Sequence, residues 1–203
     1  MPITIIDRLP ISPEESDLGS VSCGRLWTDE KEQAFGQRVI RKANQPLVWI
    51  SLLPQARSAM DGLPKPYARV PALLDTGCSA ALCLSRRWFE ILVGTKSKLA
   101  PMATGRIKTA GGKFECVKYG HWKLWLHRNR ATQNEPHDDN SAVGLFLESV
   151  AVHEQPGLSY PCIGMPLLTK NNLHFHINGA RRQASLVQDF GLLSLQPGEV
   201  VFE

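Results

Sequence analysis

The stretch that most constrains this chain runs from Arg69 to Leu84, RVPALLDTGCSAALCL. Val70 to Leu74 form an apolar run that reads as a buried strand, and it ends on an acid, Asp75. A carboxylate at the end of such a strand is costly to bury unless it is paired, hydrogen-bonded or protonated. Thr76 and Gly77 follow, then the small residues Cys78, Ser79, Ala80 and Ala81. Gly77 permits a close backbone approach beneath the acid or a turn dihedral that other residues resist. Any fold for this chain has to place that acid where a strand stops and a tight loop begins.

A length of 203 residues suits one domain with extensions or two small ones. With 43% hydrophobic and 21% charged residues the chain is globular in class. A net charge of +4 is small and scattered, which argues against a nucleic-acid partner; Arg86-Arg87 and Arg181-Arg182 read as solvated surface. No apolar run approaches the roughly 20 residues of a membrane span, so no membrane partner is expected. The opening MPITIIDRLPISPEE lacks the basic start and long apolar core of a signal peptide. Five cysteines, an odd number with no C-x-x-C pair, fit reduced thiols in a cytoplasmic protein.

Along the chain, residues 1–45 read as an N-terminal extension, with Thr28 to Ala43 expected as a short helix capped by Thr28. Residues 46–179 read as the domain proper. Leu47 to Leu53 is a strand expected to pair, through a Pro/Gly-rich loop at Pro54 to Tyr67, with the strand ending at Asp75. Ala81 to Leu84 continues as a strand, and Arg86 to Val93 as a short helix with Trp88, Phe89 and Leu92 inward. Arg106 to Trp125 reads as a hairpin with a Gly-Gly tip followed by an alternating strand. Asn129 to Gly144 is a polar insertion, and Leu145 to His153 returns to strand character. Residues 180–203 form a C-terminal tail in which Leu192 to Leu195 and Val200 to Phe202 are candidate strands.

Two groups look like metal ligands and are read otherwise. His137-Asp138-Asp139 sits in the polar insertion without a second ligand cluster, and His174 and His176 share one face of a strand as an exposed pair. No metal or cofactor is expected.

Leu73-Leu74-Asp75-Thr76-Gly77-Cys78-Ser79 resembles the active-site signature of aspartic proteases, especially the single-domain retroviral type. Cys162 to Ile177 (CIGMPLLTKNNLHFHI) resembles their second signature: Ile163-Gly164, a helix start at Met165 to Leu168, and a closing strand from Leu173 to Ile177. The resemblance spans roughly Leu47 to Ile177, apart from the insertion. It departs from the pattern at Cys78, where alanine or serine is usual, and at Cys162, where an aliphatic residue is usual.

The resemblance implies a mainly β, single-domain, retropepsin-like closed β-barrel with a glycine-rich flap hairpin and one short helix near the C-terminal end. It implies an aspartic endopeptidase in which Asp75 is the catalytic acid/base. Thr76 would lock two active-site loops together, Gly77 would allow packing beneath the carboxylate, and Ser79 would support its outer oxygen. Thr109, Ala110, Gly111 and Gly112 would form the substrate-binding flap over a protein or peptide substrate. The mechanism needs two carboxylates sharing a proton, and the chain holds one Asp-Thr-Gly, so the second must come from another copy in a homodimer. Two other readings stay open: a catalytically weak or inactive dimerisation or peptide-binding module of the same fold, and an unrelated β-rich enzyme using Cys78 or the histidines.

Overall fold

The computed structural model describes residues 4–11, 13–27, 32–53, 68–93, 103–109, 112–127 and 144–188. Its centre is built on β4 (Leu47–Leu53), a strand buried at every position. A strand covered on both faces loses the in-out alternation and reads as a continuous apolar run, as LVWISLL does. β5 (Val70–Asp75) pairs antiparallel with it, Leu47 opposite Leu73 and Ile50 opposite Val70, in the hairpin arrangement expected from the sequence. Pro71 is tolerated in β5 because the next strand covers only Leu73 to Asp75 on that side.

That next strand is β10 (Cys162–Gly164), parallel to β5 and antiparallel to β6 (Leu82–Leu84). β6 pairs parallel with β9 (Gly144–Glu154), β9 antiparallel with β8 (Gly112–His127), and β8 antiparallel with β4. The ring β4-β5-β10-β6-β9-β8 therefore closes on itself as a six-stranded barrel, mainly β as the sequence predicts. Closure removes the exposed sheet edges that an open arrangement would leave. Its interior is filled by Ile50, Leu82, Leu84, Leu124, Leu126 and Ile163, all fully buried.

β7 (Ala103–Thr109) continues the sheet as a hairpin arm on β8, with Thr109 opposite Gly112. The two residues at its tip, Ala110 and Gly111, lie outside the described residues. β8 serves both arm and barrel because it bends. Its register with β9 shifts between Lys118 and His121, and Gly120 there takes φ of 84°, a left-handed value that glycine adopts without strain.

Two short helices cover the barrel. In α1 (Arg86–Val93), Trp88, Phe89, Ile91 and Leu92 turn inward. Phe89 stacks on Tyr119 with ring centroids 3.9 Å apart and meets Trp122 edge-on at 5.4 Å. α2 (Met165–Lys170) starts directly from Gly164, carries proline in its first turn, and buries Leu167 and Leu168. Asn171 closes it by donating its side-chain amide to the Leu167 carbonyl at 2.7 Å.

A second sheet runs β1 (Thr4–Pro10), β12 (Gln183–Gln188) and β11 (Leu173–Asn178), with β12 in the middle. β12 falls in the stretch that the sequence reading treats as tail. Its burial of Ala184 and Leu186 is the strand alternation that marks it. The two candidate strands further on, Leu192 to Leu195 and Val200 to Phe202, lie outside the described residues.

The helix expected over Thr28 to Ala43 is corrected. Residues 28–31 lie outside the described residues, and Glu32–Arg41 forms β3, paired antiparallel with β2 (Ser16–Trp27). Gly36, Arg38 and Ile40 are all exposed, the period-two pattern of a strand face, and Arg38 pairs with Asp17 of β2. A central glycine and a thin apolar face left little helical preference, and a partner strand decides the outcome.

Candidate active site

The site is assembled where the apolar run of β5 gives out. Asp75 accepts the Gly77 N–H on Oδ1 at 2.9 Å, and its carbonyl accepts the Cys78 N–H at 3.1 Å. This side-chain-to-backbone turn is a common use of aspartate at a chain reversal. A Cβ on Gly77 would stand 3.2 Å from Oδ1, so glycine lets the carboxylate lie against the turn. Asp75, Thr76, Gly77 and Ser79 are exposed, whereas Cys78 and Ala80 turn inward.

The second signature locks this loop from behind. Gly164 lies beside Asp75 in the β5–β10 pairing. Its N–H goes to the Ala81 carbonyl at 3.1 Å, and the Met165 N–H goes to the Cys78 carbonyl at 3.2 Å. A Cβ at Gly164 would fall 2.2 Å from the Ala80 oxygen and 2.4 Å from the Cys78 oxygen, so a side chain here would force the Asp75 loop off β10. The two motifs, distant in sequence, thus fit together only through a glycine.

Cys162, on the same strand, donates its thiol to Asp75 Oδ2 at 3.7 Å. Each carboxylate oxygen therefore has one donor, a backbone amide and a thiol. Cys162 belongs to a small buried cluster with Cys78, Ala80 and Cys83, flanked by Leu158 and separate from the main core. Cys78 and Cys83 bring their sulfurs to 3.9 Å, and none of the three forms a disulfide. The contact with Cys78, then burial, pushes the Cys162 thiol up, while the contacts with Cys162 and then Cys83 lower Cys78. The sequence marks Cys78 and Cys162 as departures from a pattern; that they meet in one buried cluster, with Cys162 on the Asp75 carboxylate, is visible only in three dimensions.

Beside the loop, a groove of about 530 Å³ is lined by Thr76, Met165, Leu168, His174, Phe175 and His176 among others. Thr76 thereby shares a surface with α2 and β11. β11 pairs on one side with β12 and, among the described residues, has no strand on its other side. Its Ile177 is 64% exposed. Thr109 and Gly112 stand at the base of the β7–β8 arm.

Among the described residues the histidines assemble no second reactive centre. His127 places Nε2 2.8 Å from Ser51 Oγ, but the Ser51 hydroxyl donates to the Ala68 carbonyl at 2.7 Å, so the imidazole is the donor to serine. Both side chains are buried, and the pair ties β4 to β8 rather than activating a nucleophile. Burial, and then the charge of Arg69, lowers His127 to about 3. His174 and His176 stack at 6.1 Å on an exposed face, as their spacing predicts. No group of three or more metal-ligating side chains occurs among the described residues, and His137-Asp138-Asp139 lies outside them. No helix among the described residues is long and apolar enough to cross a membrane.

No protein-family model matches the chain, and no curated protein matches it. Among solved structures, the chain is similar to the crystal structure of a retropepsin-like aspartic protease from Rickettsia conorii. The two are 12% identical, the match covers 73% of this chain and 97% of that one, and the TM-score is 0.37.

Proposed function

We propose that the chain is an aspartic endopeptidase whose active site is completed by a second copy of itself. The observation that carries this reading is the exposed Asp75 carboxylate, fixed by the Gly77 amide and the Cys162 thiol on a loop clasped against Gly164. No carboxylate hydrogen-bonds Asp75 among the described residues, and peptide hydrolysis by this chemistry needs two of them.

In the dimer, the two Asp75 side chains share one proton. The ionised one draws a proton from a bound water as that water attacks the scissile carbonyl; the protonated one hydrogen-bonds the carbonyl oxygen and then protonates the leaving amine. Thr76 joins the two loops at the two-fold axis, and Ser79 steadies the outer oxygen. The groove beside Thr76 and the side of β11 that carries no strand among the described residues support an interface at this place. The β7–β8 arm, with Thr109, Ala110, Gly111 and Gly112 at its tip, serves as the flap that offers backbone groups to an extended peptide. The chemistry calls for no metal or cofactor.

The test is cleavage of a diverse peptide library from about pH 3.5 to 7.5 by the wild type and by Asp75→Asn. The expected outcome is activity that rises more than linearly with protein concentration, that a statine peptide blocks, and that falls at least about a thousandfold in the variant. Equal cleavage by both proteins removes Asp75 from the mechanism. No cleavage by either at dimer-forming concentration favours the peptide-binding module.

A further inference from the structure

Apart from the Cys162 thiol that holds Asp75 Oδ2, the thiol cluster beneath Asp75 has no part in the hydrolytic mechanism, yet it is tightly organised. Three of the chain's five cysteines come from the Asp75 loop, from β6 and from β10 to meet in one buried group. Cys162 and Cys83 are direct partners across the β10–β6 pairing, and Cys78 lies over Cys83 at 3.9 Å between sulfurs. On the far side of Cys83, β9 brings His153 into register. His153 leaves Nδ1 buried and without a hydrogen bond, and burial lowers its pKa.

Cys78 combines inertness and access in an unusual way. Its side chain is buried, but its neighbours Gly77 and Ser79 are exposed, so its sulfur lies one residue from solvent on either side. Its contacts with Cys162 and then Cys83 lower its pKa, which favours its thiolate. Its backbone has no slack: the amide holds Asp75, the carbonyl holds Met165, and that same carbonyl lies against Gly164.

We propose that Cys78 is an oxidative modification site, and that its disulfide with Cys83 switches the Asp75 loop off. The oxidant is a hydroperoxide. The Cys78 thiolate attacks the peroxide, the S–O bond forms as the O–O bond breaks, and the departing hydroxide takes a proton to become water. Cys83 then attacks the sulfenic sulfur, the S–S bond forms, the S–O bond breaks and a second water leaves. Two thiols and one hydrogen peroxide give one disulfide and two waters. A disulfide holds its sulfurs at about 2.05 Å, well inside the 3.9 Å of the reduced pair. Closing that gap draws Cys78 toward β6 and disturbs its bonds to Asp75 and Met165. A dithiol reductant reverses the change.

The effect on hydrolysis rests on the proposed peptidase activity; the cross-link does not, and it is read separately. The full-length protein is treated with hydrogen peroxide, quenched by alkylation, and digested with trypsin. Cys78 and Cys83 fall in one tryptic peptide, Val70 to Arg86. The expected result is that peptide lighter by two hydrogens and unalkylated, with Cys162 still alkylated. In the same samples peptidase activity falls at least about tenfold, in proportion to the cross-linked fraction, and returns with dithiothreitol. Cys83→Ala keeps its basal activity and loses the reversible response. Because the wild-type time course alone tests the proportionality, the proposal stays testable if that variant fails to fold. A bond from Cys78 to Cys162, oxidation that stops at sulfinic acid, or a cross-link that leaves activity intact would each overturn it. Absence of activity in the fully reduced wild type strikes instead at the peptidase reading, and the mass of the Val70 to Arg86 peptide still decides whether the modification forms.

Discussion

Two glycines at the site differ in what a single methyl would do. At Gly164 the added carbon meets backbone oxygens at 2.2 and 2.4 Å, which cannot rotate away. Gly164→Ala is therefore expected to cost about 2–3 kcal/mol or more, the range for forced overpacking, and to lower the thermal midpoint together with activity. At Gly77 the contact is 3.2 Å to Asp75 Oδ1, a side-chain atom that can shift. Gly77→Ala is expected to cost about 1 kcal/mol or less while lowering kcat well beyond that, because what moves is the carboxylate itself. Thermal melts and peptide cleavage on both variants check the contrast. Asp75, Gly77 and Gly164 were legible in the sequence because glycine and an acid at a strand end each have few physical reasons to be there. The convergence of Cys78, Cys83 and Cys162 was not, because a strand's period tells which face a residue takes and not which residue from another strand it meets.

Among the elements, α1 has the most specific attachment. Phe89 lies between Tyr119 and Trp122 of β8, stacked on one and edge-on to the other, so its removal leaves a cavity bounded by rigid rings. Phe89→Ala is expected to destabilise by about 3–5 kcal/mol, read by urea denaturation, whereas breaking the exposed Arg86–Glu90 pair with Glu90→Ala is expected to cost about 0.5 kcal/mol or less. Strands with strong apolar content and α1 followed from periodicity, and α2 from the resemblance of Cys162 to Ile177 to a known signature. The β2–β3 ribbon did not, since in Glu32–Arg41 the residues that oppose each other are set by β2 and carry no helical or strand pattern strong enough to decide alone. β12 was missed for a related reason: it is short, and its polar residues Gln183, Ser185 and Gln188 dilute the alternation.

For the whole molecule, the buried His127 sets a pH limit. Its folded pKa is lowered to about 3, below an unfolded value of about 6.5, so the unfolded chain binds the proton more readily. The stabilisation from keeping His127 neutral is complete above about pH 6.5 and is lost as pH falls toward 3. At about 1.4 kcal/mol per pH unit, the protein is expected to lose roughly 2–3 kcal/mol between pH 6.5 and 4.5. His127→Gln, which keeps an amide donor for Ser51 and cannot titrate, is expected to flatten that loss; urea unfolding at the two pH values measures it. A shared-proton carboxylate pair works in acid, so this histidine bounds the proposed activity from below.

The clasp between the Asp75 loop and β10 also has a consequence for the chain during its synthesis. Asp75 and the Cys162 that touches it are separated by 87 residues, and Gly164 lies further still. A ribosome carrying the growing chain has exposed the Asp75 loop long before the strand that locks it exists. Until β10 has emerged, the carboxylate stands on an unlocked turn, and the proposed two-chain site has no clasped loop to build on. Under the proposed dimeric mechanism, the order of the strands thus delays any hydrolysis until translation has passed the clasp.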